Sequence, residues 1–408
     1  MPTTSGELLT LDIEKPAAGG RMLARHNGQV VLVWGAIPGE RVRARITRAG
    51  KGVLFADTLD VVEASPDRRP AIVDWRCGGN VLAHVEYPRQ LRIKADIVRD
   101  AFARIARMPL AQPPDVMPSP ELGYRMRARL HVRDGRVGFM REESHELCAA
   151  GPTGQLLPET VAWIERAEAE IRSKRLEGLT SIEVAENVPA TERACYLELG
   201  PGTDARPFHA LTGAATVTDR ISVSADDPSA LLVLRRDARA FFQGNRYLLE
   251  PLVRRVASLA GGGAPVLDLY AGVGLFGLSL AAAGAEDVTL VEGDRISGRD
   301  LEENARPYAG RVRVARTSVE DFGRHRAPIQ GATAIVDPPR TGMSKEALAG
   351  IVALEPARLI YVSCDVATLA RDARTLVDTR YSLQEISAID LFPNTAHVES
   401  IAVFQREA

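Results

Sequence analysis

Cys364 ends the stretch RLIYVSCD at residues 358–365, and its neighbours decide what its thiol can do. Leu359, Ile360, Tyr361 and Val362 form an unbroken apolar run, as a parallel strand covered on both faces requires. Over 366–376 apolar positions recur at helical spacing, so the spacing predicts a helix directly afterwards. The thiol therefore stands at the carboxyl end of a strand and just before a helix amino terminus. In open α/β sheets that edge is where ligands bind, and helix-end amides there favour a thiolate. An arbitrary lone cysteine is more often a packing residue. Position argues here for a nucleophile.

A second chemical group lies upstream. Gly272, Gly274 and Gly277 fit GxGxxG between an apolar run at 266–270 and a helical pattern at 275–283, and the acidic Glu292 follows about 20 residues on. The pattern suits an adenosine-containing cofactor, because glycines let backbone approach the ligand and a carboxylate can hold ribose hydroxyls. NAD and S-adenosylmethionine sites share it. Asp268 before the glycines, and Asp337–Pro338–Pro339–Arg340 after a later strand, favour a cofactor without pyrophosphate. Paired prolines would fix the chain at the mouth of the site, although by themselves they read equally as a rigid turn. A dehydrogenase has no evident use for that segment or for Cys364.

These residues need a frame. Strand and helix patterns alternate from 266 to 406, which predicts a doubly wound, mostly parallel sheet whose last two strands pair antiparallel at one edge. At the other end of the chain, five short alternating segments at 8–13, 20–25, 29–34, 40–47 and 54–62 predict a small closed barrel of the OB type. Arg41, Arg43, Arg45 and Arg48 mark one of its strands with positive charge, as a strand facing nucleic acid would carry. Between the two, a helix over 87–106, strands over 123–141, a helix over 156–176 and strands over 181–199 read as a mixed α+β region; 200–228 reads as loop and strand. The organisation expected is multidomain α/β: an OB-like barrel at 5–64, an α+β middle domain at 65–235 and a Rossmann-like catalytic domain at 236–408.

The 408 residues, 45% hydrophobic and 25% charged with net charge −2, describe a globular chain of two or three domains. No apolar run approaches the ~20 residues of a membrane span, and MPTTSGELLTLD lacks a basic-then-apolar signal pattern, so the cytoplasm is expected. The four cysteines, Cys77, Cys148, Cys195 and Cys364, form no CxxC pair, so neither a disulfide framework nor a zinc site is expected. Within 86–141, twelve Lys and Arg stand against six acids. Such local excess on a neutral chain suits a polyanion such as RNA, so the middle domain at 65–235 is expected to bind RNA, with a solvated face as the plain alternative.

Taken together, residues 268–277, Asp337–Arg340, Ser363–Cys364, FFQGN at 241–245 and DLFPNTAHVE at 390–399 closely resemble the RNA uracil-C5-methyltransferase family, which methylates tRNA and ribosomal RNA. The resemblance covers nearly the whole chain, and the barrel resembles the TRAM domain many members carry. It implies a class I catalytic domain using S-adenosylmethionine, with Cys364 as the nucleophile at uracil C6 and Glu399 as the base that removes the C5 proton. It further implies Gln243, Tyr270, Glu292 and Asp337 as cofactor-binding residues, Glu292 toward the ribose and Asp337 also toward the uracil edge. Leu275 and Ser318 stand where many members have asparagines.

Many members also hold an iron–sulfur cluster through three cysteines around a CGGC segment and a fourth beyond. This chain has Cys77–Gly78–Gly79–Asn80, Ala71 at the upstream position and Cys148 out of register with the fourth, so no metal cluster is expected and Cys77 is left to packing. The partner implied is RNA, reached by base flipping or in a single-stranded loop, with ribosomal RNA favoured over tRNA. No membrane or protein partner is implied, and a monomer is the default. A tRNA uracil methyltransferase, an NAD-dependent oxidoreductase and a non-catalytic RNA-binding protein are the alternatives. Cytosine-C5 methylation is disfavoured because no cysteine accompanies Asp337–Pro338–Pro339.

Overall fold

The structure is a computed structural model that describes residues 5–71, 74–224, 227, 230–324 and 326–407. Residues 225, 226 and 228 of the 200–228 segment, residues 1–4 of the amino-terminal stretch and residue 408 lie outside the described residues. Among the described residues, no helix is long and apolar enough to cross a membrane.

Strands β1 (Leu8–Pro16), β2 (Met22–His26), β3 (Gln29–Trp34), β4 (Arg41–Gly50) and β5 (Val53–Glu63) form a closed barrel in the order β1-β2-β3-β5-β4. Period-two alternation closes it: on β4, Val42, Ala44 and Ile46 are buried while Arg41, Arg43 and Arg45 face out. That basic strand is less bare than expected. Arg41 pairs with Asp12 and Glu63, Arg43 with Asp60, and Arg48 lies over the Phe55 ring at 4.0 Å.

Helix α1 (Tyr87–Ala101) continues through a π turn at Phe102–Ala106 and is shared between two cores. Ile93 packs with the barrel, whereas Val98, Ala101 and Phe102 pack with the catalytic sheet. After the short β6 (Val116–Met117) come β7 (Arg127–Arg133), β8 (Arg136–Met140), β9 (Leu147–Ala149), α2 (Pro158–Ser173), β10 (Leu179–Glu186) and β11 (Arg193–Leu199). These strands make an antiparallel sheet in the order β11-β10-β7-β8-β9, one face of which packs on α2 through Ile164, Ala167 and Ile171. A two-stranded ribbon, β12 (Thr216–Ser222) and β13 (Leu231–Asp237), leads onward.

The remaining elements are α3 (Leu249–Ala260), β14 (Val266–Leu269), α4 (Leu275–Ala282), β15 (Val288–Val291), α5 (Arg295–Ala305), β16 (Val312–Ala315), α6 (Val319–Arg324), β17 (Thr333–Val336), α7 (Lys345–Ala353), β18 (Arg358–Ser363), α8 (Val366–Asp378), β19 (Tyr381–Ile389) and β20 (Glu399–Arg406). They build the expected doubly wound sheet, ordered β16-β15-β14-β17-β18-β20-β19-β6. Strands β16 to β18 run parallel, and β19 and β20 are the expected antiparallel pair. The outermost strand, however, is β6, which pairs parallel to β19 through Val116 and Met117. A two-residue strand is too short to leave a pattern.

The cysteines require a correction. Cys77 and Cys148 form a disulfide across 71 residues, leaving Cys195 and Cys364 as free thiols. The absence of CxxC spacing concealed this pair, because the loop at 77 and strand β9 meet only in the fold.

Candidate active site

Strand β14 has parallel neighbours on both sides, β15 and β17, and its carboxyl end opens the crevice of the sheet. The chain leaves it sharply. Tyr270 (φ 69°), Gly272 (φ 58°) and Gly274 (φ 102°) all adopt left-handed backbone before α4 begins. The last glycine of the motif serves contact instead: a Cβ on Gly277 would lie 2.2 Å from Leu290 and 3.0 Å from Asp268. A Cβ on Gly272, by contrast, would meet nothing within 4 Å, so this loop exposes open backbone to the crevice.

Two carboxylates brace the loop. Buried Asp268 accepts a hydrogen bond from the Gly277 amide at 2.7 Å, while its other oxygen has no partner among the described residues. Burial, with the nearby Glu292 charge, pushes its carboxyl up to about 7. Glu292 accepts from the amides of Gly272 at 2.7 Å and Asp294 at 2.5 Å, and burial raises it as well. Leu275 is buried in the core, and the Ser318 hydroxyl is engaged with Asp321 at the start of α6. An open glycine cradle, an orphaned Asp268 oxygen and a carboxylate at the adjacent strand end fit an adenosine-type cofactor.

Asp337 follows β17, and Gln243 donates to it from Nε2 at 3.2 Å. Burial and the charge of Asp268 push Asp337 up to about 7, against the pull of that hydrogen bond. The Tyr270 phenol is raised by burial and by the charges of Glu320 and Asp372.

Cys364 and Glu399 come together through register. On antiparallel β18 and β20, Ser363 opposes Ser400. Cys364 follows Ser363 and Glu399 precedes Ser400, so both lie just beyond that pair, close enough for the Glu399 charge to act on the thiol. Glu399 is 1% exposed, and among the described residues neither carboxylate oxygen has a hydrogen-bond partner. Burial and Asp337 raise it well above the usual carboxylate range, with Arg340 opposing.

The expectation that helix-end amides would favour a Cys364 thiolate fails. Asp365 takes those amides, accepting from Ala367 at 3.0 Å and Thr368 at 2.9 Å. Burial and the Glu399 charge push the Cys364 thiol up to about 11. The cation that counters them is Arg340, last residue of the Asp-Pro-Pro-Arg segment. His397, pushed down to about 4 by burial and by Arg340 and Lys94, is a neutral imidazole packed edge-on against Phe392.

What holds the 390–398 segment that delivers Glu399 was not legible as function. Lys94 on α1, fully buried, pairs with buried Asp390 and donates to the Phe392 carbonyl at 2.9 Å. Tyr87 donates to Asp390 at 2.9 Å, and Gln90 and Asn394 exchange two hydrogen bonds of 2.9 Å each. The only signal was Gln90 and Lys94 recurring on the face of α1 that also carries Ile97 and Ala101.

A cluster site of the iron–sulfur kind does not fit the residues present. Cys77 and Cys148 are bonded to each other, Asn80 is buried with no side-chain partner, and among the described residues no group of three His, Cys, Asp or Glu could hold a metal.

Residues 217–407 match the family described as tRNA (Uracil-5-)-methyltransferase, and residues 2–59 match the TRAM domain. The 23S rRNA (uracil(1939)-C(5))-methyltransferase RlmD of Acidithiobacillus ferrooxidans is 34% identical over 97% of this chain and 96% of its own. That of Pseudomonas putida is 31% identical over 98% and 94%. Among solved structures, the Pyrococcus abyssi tRNA (uracil-54, C5)-methyltransferase, in complex with S-adenosyl-L-homocysteine, is 24% identical and covers 97% of this chain and 99% of its own at a TM-score of 0.74. At that identity it shows the shared fold.

Proposed function

This chain belongs to the RNA uracil-C5-methyltransferase family, and from that premise we propose that it methylates a uracil of 23S ribosomal RNA through covalent addition of Cys364. S-Adenosylmethionine, when bound, supplies the methyl group as an electrophile on sulfur. Glu292, Gln243, Tyr270 and Asp337 are the residues that would hold it, around the open backbone at Gly272.

Uracil C5 is too weak a nucleophile to take a methyl group unaided. The Cys364 thiolate adds to C6, forming a C–S bond and pushing the ring electron pair toward C5 and O4. Arg340, beside the thiol, stabilises the thiolate against the opposing carboxylate. Once C5 carries the methyl group it holds one proton too many. Glu399, in carboxylate form, accepts that proton. The C–H electron pair re-forms the C5–C6 double bond, and the C6–S bond breaks to return the thiolate. A buried carboxylate raised by desolvation and by Asp337, with Arg340 only partly opposing, is a strong base for this step. The observation that carries the reading is the proximity of Cys364 and Glu399, both just beyond the Ser363–Ser400 pair of β18 and β20.

The preference for 23S rRNA rests on full-length relatives with that name. Its test is methyl transfer from labelled S-adenosylmethionine to unmodified 23S rRNA and, separately, to unmodified tRNA, followed by nucleoside analysis. The expected result is 5-methyluridine in the 23S pool and none with Cys364→Ala. Label appearing only in tRNA would overturn the substrate, and wild-type label on another nucleoside would overturn the reaction.

A further inference from the structure

One face of the middle sheet is packed on α2; the other is open and basic. Register places Arg127, Arg129, His131 and Arg133 of β7 on the open face, with Glu183 opposite Arg129 on β10, Tyr196 opposite Glu183 on β11, and Arg136 opposite Arg133 on β8. The intervening Ala128 and Leu130 belong to the core against α2. Two of the arginines are neutralised, Arg127 by Glu183 and Arg129 by Glu198. Arg133 and Arg136 are different. Both are exposed, they oppose each other directly across the hairpin, and neither makes an ion pair among the described residues. Arg133 donates to the His145 carbonyl at 2.5 Å, which anchors one guanidinium without neutralising it. Like charges in directly opposed positions destabilise a hairpin, and an anion between them removes that cost. The near end of the face meets the chain that leads into the candidate site: Arg127 donates to the Arg239 carbonyl, and Arg239, four residues before Gln243, lies over the ring of Tyr196 at 4.6 Å. Tyr196 is 39% exposed.

We propose that this open face is the track for the RNA strand flanking the target uracil, with Tyr196 stacking a base near the mouth and Arg133 with Arg136 clamping backbone phosphate at the far end. The six residues from Arg127 to Arg133 set that clamp ~20 Å from the mouth. Charge and continuity with the catalytic crevice favour a nucleic-acid strand over a protein, and base–aromatic stacking with cationic support suits single-stranded RNA. The proposal rests on the RNA methyltransferase reading but is read out by binding.

The test measures RNA affinity against salt for the full-length protein, with a ribosomal RNA fragment extending well beyond the target, alongside steady-state methyl transfer. For Arg133→Gln/Arg136→Gln the expected result is about tenfold weaker binding, a slope of log affinity on log salt shallower by about 1.4, a higher KM and an unchanged kcat. Tyr196→Ala should weaken binding about tenfold with the slope unchanged. Thermal melting that matches wild type certifies the fold of each variant. Wild-type affinity and slope in the arginine variant would overturn the proposal and leave the face to a protein partner. If no protein methylates RNA yet the arginine variant loses salt-dependent binding, the proposed reaction fails and this assignment stands.

Discussion

In the proposed mechanism Cys364 reacts as a thiolate, yet its surroundings hold the proton on. Burial and Glu399 push it up to about 11, and Arg340 is the counterweight. Because the reactive form is the deprotonated one, the methylation rate should rise with pH across the neutral and alkaline range, about tenfold per pH unit while thiolate is scarce. Removing Arg340 raises the thiol further. Arg340→Gln should therefore move the pH profile of Cys364 alkylation by iodoacetamide toward higher pH. The methylation rate at pH 7.5 should fall with it, about tenfold for every pH unit the profile moves. An unchanged alkylation profile would show that the guanidinium does not govern the thiol. This acid–base setting was beyond reach in the sequence. The strand end before Cys364 was legible in four apolar residues, but only the fold reveals that Asp365 occupies the helix amides and that Arg340 reaches the sulfur.

At the scale of elements, the β14–loop–α4 turn gives up stability to form a site. The glycine spacing was legible, since each position answers a steric demand; Gly277, for one, leaves no room for a methyl group between Leu290 and Asp268. The cost of Asp268 was not. Buried and raised to about 7 from a usual value near 3.8, it must ionise at a penalty in the folded chain. The sign follows from linkage: below pH 3.8 the group is protonated folded or unfolded and costs nothing. Between pH 4 and 7 the folded state binds the extra proton, so stability falls as pH rises, and above 7 the loss is complete. Asp268→Asn, which keeps an acceptor for the Gly277 amide, should raise the melting temperature at pH 8, by a stabilisation on the order of 2–4 kcal/mol, and leave it little changed at pH 4. Equal changes in melting temperature at both pH values would contradict a charge-based penalty. Helix α1 makes the same point about legibility. Its periodicity was plain, but Lys94 finds Asp390 only across 296 residues of chain.

Across the whole molecule, α1 ties barrel to catalytic sheet, and the Cys77–Cys148 bond ties the 77–80 loop to β9 of the middle sheet. A closed loop of that length contributes about 4 kcal/mol in the chain-entropy picture. The barrel and the doubly wound sheet could be read from period-two alternation and from the strand–helix series. The two-residue β6 and the disulfide could not, because each depends on contacts remote in sequence; helix α3 was legible in Leu249, Leu252, Val253 and Val256 ahead of Gly261 but went unread. The β18–β20 pairing is what finally joins the chemistry, by bringing Glu399 and Cys364 together just beyond the Ser363–Ser400 pair. The most direct measurement is therefore mass spectrometry of Glu399→Gln incubated with S-adenosylmethionine and unmodified 23S rRNA, then digested with nuclease and protease. The predicted product is a Cys364 peptide joined to a C5-methylated uridine, stalled because its C5 proton has no acceptor. Normal 5-methyluridine release from Glu399→Gln, or methylation by Cys364→Ala at the wild-type rate, would contradict the covalent mechanism.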